Sequence, residues 1–463
     1  MDHPTKTPSL IASTGTTYCC SIAESRIREQ KLLSNDFTEA EVIADRKEGD
    51  MEYNYFKSAQ WSADGTSLLA SSADNTVRTF ILPPDLLEPH ITPINLTPYT
   101  SHQHPSPISC VSPYPAYTLT NLTTTLYLST PSSLPIRLTN ALSPTPTSTA
   151  TYPLISPTTE AYYTPSALLW TSPTTFLAGT ECLIAMFDVA RNGEGPVSSM
   201  PTIPSKRHKM KGGGVGIRGI VSALSLQPTL GGMEVGIEGG MVAAGTWTRW
   251  LALYDSAGVG GTVAQWSIAS AADDIAGIGG MGITQTCWSS CGRYLYAVER
   301  KSNGVLVYDV RGAGKMLAWL EGRNAVTNQR LGIDVFEGAG GMEVWGGDVD
   351  GVVKVWEGVG MGEGAVRSSW EWKAHDDPVT STVIHSSGTV VATCSGQRSS
   401  PILDENDGSS ENSSDSEEGE NDSNGDSDES DQDSEPSTTN LMSSRHPRPL
   451  LKIPDNSLKV WSL

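Results

Sequence analysis

The chain has 463 residues with 45 Gly, 29 Pro and a formal net charge of −21, which leaves room for two or three ordinary domains or one large repeat-built one. Periodic helical runs are scarce, whereas Gly, Pro, Ser and Thr separate short β-branched segments, so an all-β chain is expected. The charge excludes little: residues 404–435 hold 15 Asp and Glu and no Lys or Arg, and without them the balance falls from −21 to −6.

Cys19, Cys20, Cys110, Cys182, Cys287, Cys291 and Cys394 form no disulfide framework and suit a reducing compartment. The N-terminal "MDHPTKTPSLIASTG" has no signal layout, and no window of 18 residues is apolar throughout, so an intracellular protein without a membrane partner is expected. Asn95 and Asn121 match glycosylation sequons but, without a secretory route, read as turns.

In chain order, "LIASTGTTYCCSIA" (10–23) reads as a strand and residues 24–50 as a charged linker or short helix. A repeat then begins. Strand-like alternations ending on an aromatic recur as "NTVRTFIL" (Phe80), "CLIAMFDV" (Phe187), "RWLALYDS" (Tyr254), "GVLVYDV" (Tyr308), "GVVKVWEG" (Trp356) and "NSLKVWSL" (Trp461), spaced by 107, 67, 54, 48 and 105 residues. The first gap admits a degraded unit, "LYLSTPSSLPIRLTNAL" (126–142), ending near Leu138, and the last contains 57 residues between Gly396 and Pro454. Seven units of roughly fifty residues follow.

Within units, Asp-Gly, Cys-Gly or Ser-Gly supplies the first tight turn, and Ala-Asp-Asn or Ser-Asn-Gly the second. Four short antiparallel strands per unit with a Trp/Tyr-Asp ending predict a seven-bladed WD-repeat β-propeller. A blade cannot bury its faces alone, so the termini must share the last one: residues 379–384, 389–394 and 458–462 give three strands and 10–23 the fourth. The organisation expected is a closing strand and linker over 1–50, blades one to seven (first part) over 51–398, a disordered acidic insert over 399–452, and the final strand of the last blade over 453–463.

Several stretches resemble one family: "YFKSAQWSADGTSLLASSADNTVRTFILPP" (55–84), "GIRGIVSALSLQP" with "VAAGTWTRWLALYD" (216–255), "AVTNQRLGIDV" with "VWGGDVDGVVKVWE" (325–357), and "HSSGTVVATCSGQR" (385–398) resumed by "DNSLKVW" (455–461). Over about 50–463 the chain is similar to the telomerase Cajal body proteins, WD-repeat proteins that escort small nuclear RNAs. Blade two is eroded, the linker before blade four is Gly-rich and the insert is long. The Pro, Ser and Gly-Gly content is of a fungal type, for which splicing-related nuclear RNAs are an expected cargo in place of telomerase RNA.

No catalytic constellation emerges, and no enzyme, cofactor or metal site is expected. Cys287 and Cys291 bracket a hairpin turn without a second pair. The G-x-G-x-x-G matches at Gly214–Gly219 and Gly277–Gly282 lead into strands where a dinucleotide site needs a helix, so both read as flexible loops. The segment best suited to RNA is "PSKRHKMKGGGVGIRG" (204–219), with Lys206, Arg207, Lys209, Lys211 and Arg218 as candidate phosphate contacts; the same segment also reads as a solvated loop or nuclear-import signal. Trp247 and Arg249, at one hairpin turn, are candidates for stacking an unpaired base. Asn328, Gln329 and Arg330 read as structural or channel-capping residues. Asp74 and Asp350 read as turn-fixing carboxylates that accept backbone N–H bonds. Ser414, in the acidic tract, suits an acidophilic kinase.

The resemblance together with the basic segment implies a monomeric, non-catalytic nuclear scaffold that binds small nuclear or small Cajal body RNA, with ribonucleoprotein proteins as partners and a basic partner for the insert. The alternative is a splicing-associated protein-interaction platform without direct RNA binding.

Overall fold

The structure, a computed structural model, describes residues 7–15, 54–204, 216–228, 240–255, 261–312, 314–338, 340–397 and 455–463. The expected linker at 24–50 and the insert at 399–452 lie outside the described residues.

Seven sheets, each with four antiparallel strands, form the blades of a propeller, and a short parallel fifth strand, Ile94–Asn95 or Gly364–Val366, borders two of them. Their innermost strands, called a, are Phe56–Trp61, Ile108–Pro113, Ala167–Trp170, Val221–Leu226, Ile283–Trp288, Ile333–Gly338 and Val379–Ile384. Strands b, c and d follow outward in each blade. The eroded second unit is a full blade, its strand c at Ile136–Asn140.

The seventh blade joins the two ends of the chain. Val379–Ile384 pairs with Val390–Ser395, that strand with Leu458–Ser462, and Leu458–Ser462 with Ser9–Ser13 in antiparallel register, Leu10 opposite Trp461 and Ala12 opposite Val460. At its open side Gln397 Nε2 and the Asp455 amide both donate to the Asp377 carboxylate, at 3.2 and 2.5 Å. His375 Nε2 and Trp461 Nε1 meet on Thr393 Oγ1 at 2.7 and 2.9 Å, fastening this strand set from within.

Local chemistry explains the turns between strands a and b. In blade 1, Asp64 Oδ1 accepts from the Ser62 hydroxyl (2.6 Å), the Thr66 amide (3.1 Å) and the Thr66 hydroxyl (2.7 Å), while Gly65 takes φ +70°. Gly292 and Gly388 hold the same left-handed corner in blades 5 and 7, which is why Asp-Gly, Cys-Gly and Ser-Gly recur. The second turn of blade 5 is displaced from the expected Ser302-Asn303-Gly304. Lys301 is the left-handed residue (φ +51°), Ser302 already begins strand c, and Gly304 is glycine because a Cβ would fall 2.3 Å from the Leu320 carbonyl oxygen.

The aromatic ends of the repeats are interior: Phe80, Phe187, Tyr254, Tyr308 and Trp356 are buried. They lie in five of seven apolar clusters, each drawn from two adjacent blades, such as Phe56, Leu68 and Phe80 with Val390, Leu458 and Val460 between blades 1 and 7. Every blade therefore buries both faces only when the ring is complete.

Candidate nucleic-acid interface

Within a blade, strands a and c run one way and b and d the other, so b–c turns and d–a connections leave at the same end. Neighbouring inner strands run parallel in space. Lys57 and Gln60 donate to the carbonyls of Ile108 and Val111, and Ser222 and Ser225 donate to Ile283 O and Thr286 Oγ1. Among the described residues the b–c turns and the d–a connections thus share one rim of the ring, the upper face.

The sequence-derived candidates gather on it. Arg218 lies in the connection from blade 3 to blade 4, Trp247 and Arg249 in the b–c turn of blade 4, and Asn328, Gln329 and Arg330 in the connection from blade 5 to blade 6. Asp74 and Asp350 occupy the b–c turns of blades 1 and 6. Lys206, Arg207, Lys209 and Lys211 lie outside the described residues, but the flanking Pro204 and Gly216 belong to the same connection as Arg218.

Arg249 is held for another purpose than base stacking. It takes φ +65°, and its guanidinium donates to Asp273 at 2.6 and 2.9 Å and to Glu299 at 2.8 and 3.0 Å. Its side chain is 16% exposed and that of Glu299 only 2%. Burial pushes the Glu299 carboxyl up, while the Arg249 hydrogen bonds hold Asp273 below the ordinary carboxylate range. Arg249 therefore pins the blade 4 turn to blade 5 and to the helical turn Ala271–Ile275.

Trp247 remains available. It is 39% exposed, and the Arg300 guanidinium lies 4.9 Å from its ring centroid while Arg300 Nε donates to Met281 O at 2.8 Å. Arg300 and Lys301 form the b–c turn of blade 5 and escaped the reading of the sequence, which looked for clustered charge. The signal was positional, since "ERKS" occupies in blade 5 the turn that "TWTR" occupies in blade 4. Gly277–Gly282 is a loop, as expected, and its Gly280 and Gly282 are closely packed. A Cβ on Gly282 would fall 2.7 Å from Trp247 O, and one on Gly280 would fall 2.2 Å from Glu299 Oε2.

Asp74 organises its turn: it accepts from Ser72 Oγ (2.7 Å), the Thr76 amide (3.2 Å), Asn54 Nδ2 (3.2 Å) and Arg78 Nη2 (2.5 Å). Burial alone would raise its carboxyl, but Arg78 and these donors hold it below the usual range. In blade 6 that role falls to Asp348, which accepts the amides of Asp350 and Val352 at 3.0 and 2.9 Å; Asp350 instead accepts from Asn324 Nδ2 at 2.9 Å. The Asn328–Arg330 segment bridges the ring. Asn328 is exposed, Gln329 Nε2 donates to Gly396 O of blade 7 at 3.0 Å, and Arg330 Nη1 donates to Ser166 O, just before blade 3, at 3.3 Å.

Among the described residues no group of three or more His, Cys, Asp or Glu side chains could hold a metal ion, and no helix is long and apolar enough to cross a membrane.

Compared with known proteins, the chain is 25% identical to telomerase Cajal body protein 1 of Rattus norvegicus over 352 residues and to that of Homo sapiens over 351, in each case 75% of this chain. The chain is similar to the telomerase Cajal body proteins over three quarters of its length. The alignments span 60% and 58% of the rat and human proteins, less than two thirds of their length. A second kind of relative is the guanine nucleotide-binding protein negative regulator 1 of Schizosaccharomyces pombe, 26% identical over 307 residues, 65% of this chain and 70% of that protein. No family model matches the chain.

Proposed function

We propose that this protein is a non-catalytic nuclear scaffold that binds small nuclear or small Cajal body type RNAs, telomerase-type RNA included, through the upper face of its propeller and assists their localisation as ribonucleoproteins. The observation that carries this reading is the convergence on one rim of the exposed Trp247, the Arg300–Lys301 turn and the roots of the Lys206–Lys211 segment. Its relatives named for telomerase and the Cajal body support the class of cargo.

In this scheme Lys206, Arg207, Lys209, Lys211 and Arg218, with Arg300 and Lys301, neutralise phosphates along an unpaired strand. Local concentration of cations is what a chain of net charge −21 needs in order to hold a polyanion. Trp247 supplies a stacking platform worth about 1–3 kcal/mol for one base, its ring already held from one side by Arg300. Arg249 contributes by fixing the turn that carries Trp247.

The test is alanine substitution of Lys206, Arg207, Lys209 and Lys211 together, followed by pull-down of small nuclear RNA at two salt concentrations. RNA recovery is expected to collapse and to lose salt dependence; unchanged recovery refutes the assignment. The name of the Schizosaccharomyces pombe relative, a regulator of a guanine nucleotide-binding protein, favours the second reading, a protein-interaction platform. That reading requires unchanged RNA recovery together with failed nuclear import of the same variant.

A further inference from the structure

The ring is stapled at its upper rim by a repeated device. In blades 4 and 7 the second residue of strand a is displaced by a register shift against strand b, and its hydroxyl donates to the carbonyl of the first residue of the next blade's strand a. Ser222 Oγ reaches Ile283 O at 2.5 Å and Thr380 Oγ1 reaches Phe56 O at 2.7 Å. Blade 1 has the same displacement between Phe56 and Ser58, but the residue there is Lys57, whose Nζ reaches Ile108 O at 2.6 Å. A hydroxyl suffices for the staple elsewhere, so the positive charge of Lys57 exceeds what ring closure needs.

A second cation stands beside it. Arg330 starts from the connection before blade 6 and donates to Ser166 O before blade 3. Blades 6 and 3 are three positions apart in a ring of seven, so this guanidinium spans the central opening. The carbonyls they reach, Ile108 O and Ser166 O, stand at the heads of the neighbouring inner strands of blades 2 and 3, and the Arg330 charge acts on Lys57, with Cys110 of blade 2 beside them.

Neither cation has a carboxylate partner among the described residues; each is met by one neutral carbonyl. The acidic group acting on Lys57 is Asp74, which Arg78 already neutralises at 2.5 Å. Burial pushes the Cys110 thiol up, so it offers no thiolate. Two partly desolvated cations of one sign, converging without a counter-charge, are what a multiply charged oxyanion would stabilise.

We infer that the upper mouth of the central channel is a binding site for a phosphate group, held between Lys57 and Arg330. The guanidinium presents a planar fork to two phosphate oxygens and the ammonium a point charge to a third. The inference goes beyond the proposed function and does not depend on it, because free phosphate at the mouth stands or falls separately from RNA on the rim.

Calorimetric titration of the full chain with sodium phosphate, at ionic strength held constant with chloride, tests it. Saturable binding at one site is expected. Lys57→Thr, which installs the hydroxyl used in blade 7, and Arg330→Gln should each weaken it roughly tenfold or more while cooperative melting in chloride is retained. Arg330→Lys should weaken it less. Competition by a single-stranded RNA bearing a 5′-phosphate, but not by its 5′-hydroxyl twin, would assign the group to RNA; binding of free phosphate without competition by either would assign a small phosphate ligand. Absence of saturable phosphate binding, or binding unaffected by both charge-removing variants, overturns the inference.

Discussion

Replacing Arg249 by Ala removes four hydrogen bonds to two carboxylates of unequal standing. Asp273 is 46% exposed, so its share is a surface ion pair worth less than about 1 kcal/mol. Glu299 is 2% exposed and keeps one other donor, the Gly282 amide at 3.1 Å. Leaving that carboxylate buried without its cation costs about 3–5 kcal/mol. At roughly 2 cal/mol/K per residue over about 330 described residues, that is a fall in melting temperature of about 5–8 °C.

The sign with pH follows from Glu299. Burial raises its folded pKa above the unfolded value, so the stability linked to its proton is present at low pH and lost as pH rises through the folded pKa. Without Arg249 the folded pKa rises further, so the deficit should be smaller at pH 5 than at pH 8. Glu299→Gln in the Arg249→Ala background should recover more than half of it. Thermal melting of the four proteins of this cycle at both pH values is the assay. An Arg249→Ala protein that melts within about 1 °C of wild type while losing RNA affinity would refute the pinning role and return Arg249 to the base-contacting surface.

Two other outcomes are expected. A fragment ending at residue 400 lacks Leu458–Ser462, which sits between Val390–Ser395 and Ser9–Ser13, and should lose cooperative melting; restoring 454–463 through a short linker should recover it, whereas a soluble, cooperatively melting 1–400 fragment refutes ring closure by this strand. Asp334, with the amides of Ile384 and Val335 at 2.7 and 2.9 Å, has its carboxyl pushed up to about 6 by burial, so it contributes stability below pH 4 that is lost as pH rises through about 6. The loss is on the order of 2–3 kcal/mol, and Asp334→Asn should abolish that slope in urea titrations at pH 4.5 and 7.5; an unchanged slope contradicts it.

How far the sequence could be read depended on the range of the interaction. Blade number is written in a repeat of roughly fifty residues and the glycine corners at 65, 292 and 388 in tight turns, so repeat period and turn chemistry disclosed them. Phe80, Tyr308 and Trp356 could be recognised because the repeat places an aromatic residue at the end of strand c in six of the seven blades. The site was less legible because its contacts join distant segments. Arg249 meets Glu299 fifty positions later and Arg330 meets Ser166 164 positions earlier, so no local window reveals that the first is held and the second crosses the ring. Arg300 and Lys301 make only a dipeptide of charge, and only their place in a turn beside Trp247 gives them meaning. The slip in the second turn of blade 5 has a similar cause: Gly304 looked like a turn residue, yet the close Leu320 carbonyl requires it inside a strand.

Ultraviolet crosslinking of the protein to RNA in cells, with the bound RNA sequenced and the crosslinked peptides mapped, tests the central claim most directly. The account predicts small nuclear RNAs enriched above background and crosslinks within 204–219, at Trp247 and at the Arg300–Lys301 turn. Recovery of no small nuclear RNA, or crosslinks confined to the a–b and c–d turns of the opposite rim, would contradict it.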